Sequence, residues 1–297
     1  SCTAYPSEVV IASTFNVELV RRMGEMVGNE SIANQVNGWY APAMNLHRSP
    51  FGGRNFEYYS EDPLLSGAMG AACVSGAASK GLYCTVKHFA VNDQETNRVN
   101  GGGISVWANE QAVRELYLRP FEYTVKNASA SVKYIADSQG TMAEKELPAC
   151  TAMMSSYNRL GATWAGGSEA LMRNVLRDEW GFRGLVITDF DLYEFMYPDQ
   201  AIAAGSDLIL STDAMKGLAD TKSATAMQNL RKACHNILYT VAHSHAMNGI
   251  VPGTIISYTA APWEGWLSAA NIAVGILLTA GAAWVIIRVS KNRGKKL

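Results

Sequence analysis

GFRGLVITDF, Gly181 to Phe190, decides how the chain is read. A glycine turn closes a helix, a short apolar strand runs over Leu185 to Ile187, and Thr188 and Asp189 end it. A carboxylate at the end of a buried strand, beside an aromatic, is costly there unless it is paired or has a task. Asp189 is therefore the leading candidate for a catalytic nucleophile, set against the plainer reading that it caps the next turn. Asp191, two residues on, reads as a surface loop aspartate.

Working outward, the same strand pattern recurs. Apolar strands are expected at Trp39 to Met44, Gly81 to Phe89, Cys150 to Ser156 and Ser206 to Leu210. Between them, helical spacing marks Phe15 to Val36 (Leu19, Met23, Met26, Val27), a small-residue helix is expected over Pro63 to Lys80, and Asn109 to Lys126 is expected to be helical. A further helix is capped by Ser168 and stopped by Gly181, and a long one runs from Thr221 to Met247 with Leu230, Ala233, Ile237, Leu238 and Val241 inward. Asn127 to Leu147 is a polar excursion without an assigned element. Apolar strands alternating with helices indicate a parallel α/β architecture. Four of these strands end in polar residues: Asn45, then Lys87 and His88, then Tyr157 and Asn158, then Asp189. Strand ends of that kind form the active face of a (β/α) barrel; a doubly wound sheet is the alternative. A full barrel has eight strands, so five make a TIM-barrel-like domain incomplete at its amino end or completed by residues outside this chain.

Lys87 and His88 close an apolar run, where a lysine either pairs with a carboxylate in the core or grips a ligand's oxygens. Arg54, in FGGRNFEYYSEDP, suits bidentate recognition of hydroxyls or a carboxylate; stacking on Tyr58 or Tyr59 is its structural alternative. Tyr157 would put a phenolic donor on the same face. His243 and His245, two apart on a helix, face different sides, and the five cysteines lack CxxC spacing. No metal or cofactor is expected. NGGG, Asn100 to Gly103, lacks the lysine and helix start of a phosphate loop and reads as a turn, and G-x-S-x-G and GxGxxG are absent.

The 297 residues are 48% hydrophobic and 17% charged, enough for one large core. A net charge of -1 with no basic stripe argues against a nucleic-acid partner. Residues 268–287, SAANIAVGILLTAGAAWVII, carry no charge and have the length of a membrane-spanning helix. Trp263 and Trp266 precede this run, and Arg288, Lys291, Arg293, Lys295 and Lys296 follow it. The expected layout is a domain over 1–248, a juxtamembrane linker over 249–267, the span, and a basic cytoplasmic tail over 288–297. The main domain would then lie outside the cell membrane, anchored by a single pass. An export signal is expected to have been lost or to lie upstream of Ser1.

Together these stretches resemble glycoside hydrolase family 3, the β-glucosidase and β-xylosidase family. The matching segments are TAYP (Thr3 to Pro6), WYAPAMNLHRSPFGGRNFEYYSEDP (Trp39 to Pro63), VKHFAVNDQETNR (Val86 to Arg98), MMSSYN (Met153 to Asn158) and GFRGLVITDF. The resemblance implies a retaining, exo-acting β-glycosidase on a barrel-like domain, cleaving terminal β-linked glucosides or xylosides. Asp189 matches the nucleophile, Arg54, Lys87 and His88 match residues holding the sugar hydroxyls, and Met154 and Tyr157 line the same subsite. Glu57 and Arg98 would stand behind them, with Phe190 where many members carry Trp. FAVNDQE lacks the His-containing loop of the family's N-acetylglucosaminidases. Two features of the family are not found here: the DGP aspartate of the first strand, and a second domain carrying the acid/base Glu. The resemblance places both upstream, as in members with reversed domain order. The competing readings are an incomplete fragment that only binds sugar and a membrane-anchored interaction domain.

Overall fold

The computed structural model describes residues 2–98, 102–191, 195–212, 217–247 and 262–293. Contacts divide the chain into two units, Ser1–Asn248 and Gly249–Leu297. The first is built on a parallel sheet of β1 (Gly38–Trp39), β2 (Tyr83–Phe89), β3 (Ala152–Ser155), β4 (Leu185–Phe190) and β5 (Leu208–Leu210). Each strand lies beside its predecessor in sequence. A doubly wound sheet reverses its order at a switch point, whereas a barrel adds strands sequentially. The strands therefore form a TIM-barrel-like arc.

Alternation along the strands gives the sheet two faces. Cys84, Val86, Met153 and Val186 point to one and are buried with Met69, Cys73, Val74, Phe121, Leu176 and Trp180. Those partners come from α3 (Pro63–Ala78), α4 (Arg119–Asn127) and the π-type segment Ala170–Glu179 with its flank. Ala152, Met154, Leu185 and Ile187 point to the other face, with Tyr83, Leu210 and Ile237 against them. Ile237 belongs to α6 (Ala224–Ala242), whose Thr240 hydroxyl donates to Thr151 O at 2.6 Å and accepts from Leu185 N at 2.9 Å. The helix boundaries follow local chemistry. Asp62 caps α3 through Leu65 N at 2.7 Å with Pro63 in its first turn. Gly181, at φ +73°, takes the left-handed position that ends Ala170–Glu179. Two shorter helices, α1 (Glu8–Ala12) and α5 (Pro198–Ala204), and α2 (Val17–Ala33) complete the unit.

Several expected elements differ. The strand expected over Trp39 to Met44 ends at Trp39, because Pro42 has no N–H for a ladder; Ala43 makes only isolated bridges, to Lys87 and Tyr58. Asn109 to Lys126 is not one helix: Glu110–Ala112 passes into a π-type turn at Val113–Tyr117, and α4 restarts at Arg119 with Pro120 in its first turn. The polar excursion is an antiparallel hairpin, Ser129–Ile135 with Met142–Pro148. Ala130 and Val132 pack against the core between Ser129, Ser131 and Lys133, an alternation too short to stand out in a polar stretch. Leu19 and Met26 in α2 and Leu238 in α6 face solvent, while Val20 and Thr240 take the buried positions. Cys73, Cys84 and Cys150 are buried as expected of small hydrophobes; Cys2 and Cys234 are exposed. Asn100 and Gly101 of the NGGG turn lie outside the described residues.

The second unit contains α7 (Pro262–Arg293). Its stretch Gly265–Arg288, of mean hydropathy 2.1 and unburied, is long and apolar enough to cross a membrane. The helix takes in Trp263 and Trp266, which were expected in the linker, and continues into the expected tail. Linker residues 249–261 and tail residues 294–297 lie outside the described residues.

Candidate active site

The carboxyl ends of β2 and β4 and the loops beside them converge on Asp189, which is 8% exposed. Its Oδ1 accepts from the Phe190 amide at 2.7 Å. Its Oδ2 faces Arg98 Nη2 at 3.5 Å and His88 Nε2 at 3.9 Å. Arg98 pairs through Nη1 with Glu95 Oε2 at 2.9 Å, and its guanidinium lies over the Tyr157 ring, 4.7 Å from the centroid. Glu95 Oε1 accepts from Asn92 at 3.2 Å and stands 3.6 Å from Arg54 Nη1. Glu57 takes Arg54 Nε at 2.5 Å on one oxygen and Lys87 Nζ at 3.1 Å on the other. Three cations are thus interleaved with three carboxylates on one surface.

Strict alternation would send Lys87 and His88 to opposite faces. The β2–β3 register shifts between Val86 and Phe89, and irregularities of this kind re-aim side chains. Arg54 Nη2 lies 2.9 Å from His88 Nε2. A guanidinium only donates, so Nε2 carries the lone pair and Nδ1 the proton, 3.2 Å from Asn45 Oδ1. Asn45 Oδ1 also accepts from the His88 amide at 2.9 Å, and Nδ2 donates to His88 O at 3.0 Å. Burial, then the charges of Arg54, Lys87 and Arg98, push His88 well below the ordinary imidazole range. His88 is therefore neutral, and the cation beside Asp189 is Arg98. For Glu57, burial works against ionisation, but the hydrogen bond and charge of Arg54, joined by Lys87, hold its carboxyl below its usual value.

The structure brings Arg54, Glu57, Lys87, His88, Arg98 and Asp189 into one network, with Tyr157 under Arg98 and edge-on to Phe195 at 4.9 Å. Arg54 is ion-paired, not simply stacked on Tyr58 or Tyr59. Met154 is in register with Ile187 and is buried with it, Ala152 and Leu185. Phe190 contributes its amide. Glu95 and Asn92, in the turn-rich loop after β2, join the network as well, Glu95 through Arg98 and Arg54 and Asn92 through Glu95. Asn45 was visible only as a polar strand end. Among the described residues, no group of three or more His, Cys, Asp or Glu is placed to hold a metal.

The model of the glycosyl hydrolase family 3 N terminal domain matches residues 1–240. The chain belongs to glycosyl hydrolase family 3. Beta-glucosidase A of Butyrivibrio fibrisolvens is 35% identical over 232 residues, covering 77% of this chain and 25% of that protein. An exo-alpha-(1->6)-L-arabinopyranosidase of Bifidobacterium longum is 36% identical over 188 residues, 63% of this chain and 22% of that one. The structure of beta-glucosidase 3B from Thermotoga neapolitana in complex with alpha-D-glucose superposes with a TM-score of 0.66 at 36% identity, over 82% of this chain and 32% of that chain. This family 3 chain spans about a quarter of the length of the curated relatives it matches.

Proposed function

We propose that this family 3 domain is the nucleophile-bearing part of a retaining, exo-acting β-glycosidase for terminal β-linked glucosides or xylosides. The observation that carries the reading is Asp189, a strand-end carboxylate whose Oδ2 is turned toward Arg98 and neutral His88. In this mechanism an Asp189 oxygen attacks the anomeric carbon while the bond to the aglycone oxygen breaks and its electron pair leaves with that oxygen. Water then cleaves the glycosyl ester. Arg54 and Lys87 supply N–H donors for sugar hydroxyls, and such contacts strengthen as the oxocarbenium-like transition state forms. The leaving oxygen needs a proton from a second carboxyl about 5 to 5.5 Å from the first. Glu57, held ionised by its two cations, is unsuited to give one, which supports an acid/base from a second, upstream domain. The relatives' names support a terminal pyranoside as substrate, with glucosides the first to test.

The same reading anchors the enzyme in the cell membrane through α7, with the catalytic unit outside. Its support is the apolar Gly265–Arg288 stretch, the tryptophans before it and the basic residues after it.

The test is intact-mass analysis after incubation with 2-deoxy-2-fluoro-β-glucosyl fluoride, whose fluoride leaves without a proton. The parent chain is expected to gain one sugar, and the Asp189→Asn variant none. A folded parent that stays unlabelled, or an Asp189→Asn variant that labels equally, overturns the reading.

A further inference from the structure

Glu8 opens α1, outside the charged network, and the mechanism does not use it. Its Oε1 accepts from the Ala43 amide at 3.0 Å, and its Oε2 is buried with no hydrogen-bond partner. A buried oxygen left without a partner costs stability, so its presence calls for a reason. Ala43 is the residue that bridges to both Lys87 and Tyr58. Around it, Lys87 N donates to Pro42 O at 3.0 Å and Met44 N to Lys87 O at 2.6 Å. Tyr58 directly follows Glu57, and α1 packs against the Asn55–Glu57 turn. The Glu8 carboxyl thus fastens the backbone where the strand carrying Lys87 and His88 meets the loop carrying Arg54 and Glu57.

We propose that Glu8 is a positioning residue for the sugar site: its hydrogen bond to Ala43 sets the spacing of Lys87 and Arg54 across their shared Glu57. The proposal rests on the glycosidase reading above. Burial raises the Glu8 acid well above the ordinary carboxylate range; the Ala43 amide opposes this, the Glu57 charge adds to it and the Lys87 charge subtracts. A neutral acid is mimicked by glutamine, whose amide oxygen keeps the bond to Ala43. Alanine loses the bond.

The experiment compares the parent, Glu8→Gln and Glu8→Ala for the rate of labelling by the fluoroglucosyl fluoride, with backbone amide exchange followed in the same three proteins. Glu8→Ala is expected to label about 10- to 100-fold more slowly, the scale of leaving a buried amide donor without its acceptor, and Glu8→Gln within about threefold of the parent. Exchange at Met44 and Lys87 should quicken in the alanine variant alone. A merely structural role would lower the melting temperature of Glu8→Ala and leave the labelling rate of its folded fraction unchanged, and that result overturns the proposal. So does a glutamine variant as slow as the alanine one. If the parent itself does not label, the glycosidase reading fails. The sugar-site role of Glu8 then falls with it, whereas a parent that labels together with a Glu8→Ala variant that labels at the parent rate removes that role alone.

Discussion

Glu57 serves two cations with one carboxylate, so removing its charge affects both at once. In Glu57→Gln, Arg54 and Lys87 lose their shared counter-ion, and a hydrogen bond to a charged group is worth about 1.5–3 kcal/mol. The labelling rate should fall about 10- to 100-fold; a fall of less than about threefold would show that the two cations are held by other means. Asp93 offers a pH test. Its Oδ1 accepts the Leu46 amide and its Oδ2 is buried without a hydrogen-bond partner. Burial, opposed by that amide and the Arg48 charge, pushes it up to about 7. Because the folded value lies above the unfolded one, the native state binds the extra proton between about pH 4 and 7. The contribution to stability is therefore full below that window and lost as pH rises through 7. Asp93→Asn abolishes the titration, so its Tm relative to the parent should be about 7–15 °C more favourable at pH 8 than at pH 4. An equal difference at both pH values would count against it. His88 has the opposite sign: its folded value is depressed, so its contribution is full above about pH 6.5 and declines as the solution is acidified. Asp189, Lys87 and His88 stand out in sequence because each is a polar residue at the end of an apolar strand, although capping or core pairing explains such residues equally well. Glu95 does not, since its place between Arg54 and Arg98 depends on how the loop carrying Arg54 folds against its own.

α6 was readable from its apolar spacing and α3 from its run of small residues. Helices were misjudged where a proline or a solvated face intervened. α2 and α3 show what spacing alone conceals. Gly24 lies against the Cys73 carbonyl and Gly76 against the Arg21 carbonyl, so a Cβ at either would collide with backbone. Gly76→Ala should lose about 2–4 kcal/mol of stability in urea unfolding, and a loss under about 0.5 kcal/mol would mean that the helices separate freely. The Ser129–Pro148 hairpin makes a contrasting case. Its tip, with Tyr134, Ile135 and Met142 exposed, contributes little buried surface. Replacing residues 136–141 by a two-residue Asn-Gly turn should leave Tm within about 2 °C, as read by thermal melting.

For the molecule as a whole, alternating strands and helices pointed to a parallel α/β unit but left two architectures open, because alternation is common to both. Only the pairing of each strand with its predecessor distinguishes them, and pairing is not written locally. The membrane reading is open to a direct test. The parent chain should float with phosphatidylcholine–phosphatidylglycerol vesicles and resist carbonate extraction. A variant with Leu277→Lys and Leu278→Asp, each costing about 2.5–3.5 kcal/mol at a helix centre, should be extracted. Equal retention would show that α7 does not hold the chain in lipid. The sequential strand order also bears on synthesis. The ribosome delivers β1 to β5 in the order in which they pair, so each emerging strand meets a finished edge and none waits for a distant partner. At any moment of translation the growing sheet has two open edges, that of β1 and that of the newest strand, which makes pausing after a strand less hazardous here than in a sheet whose centre is completed last.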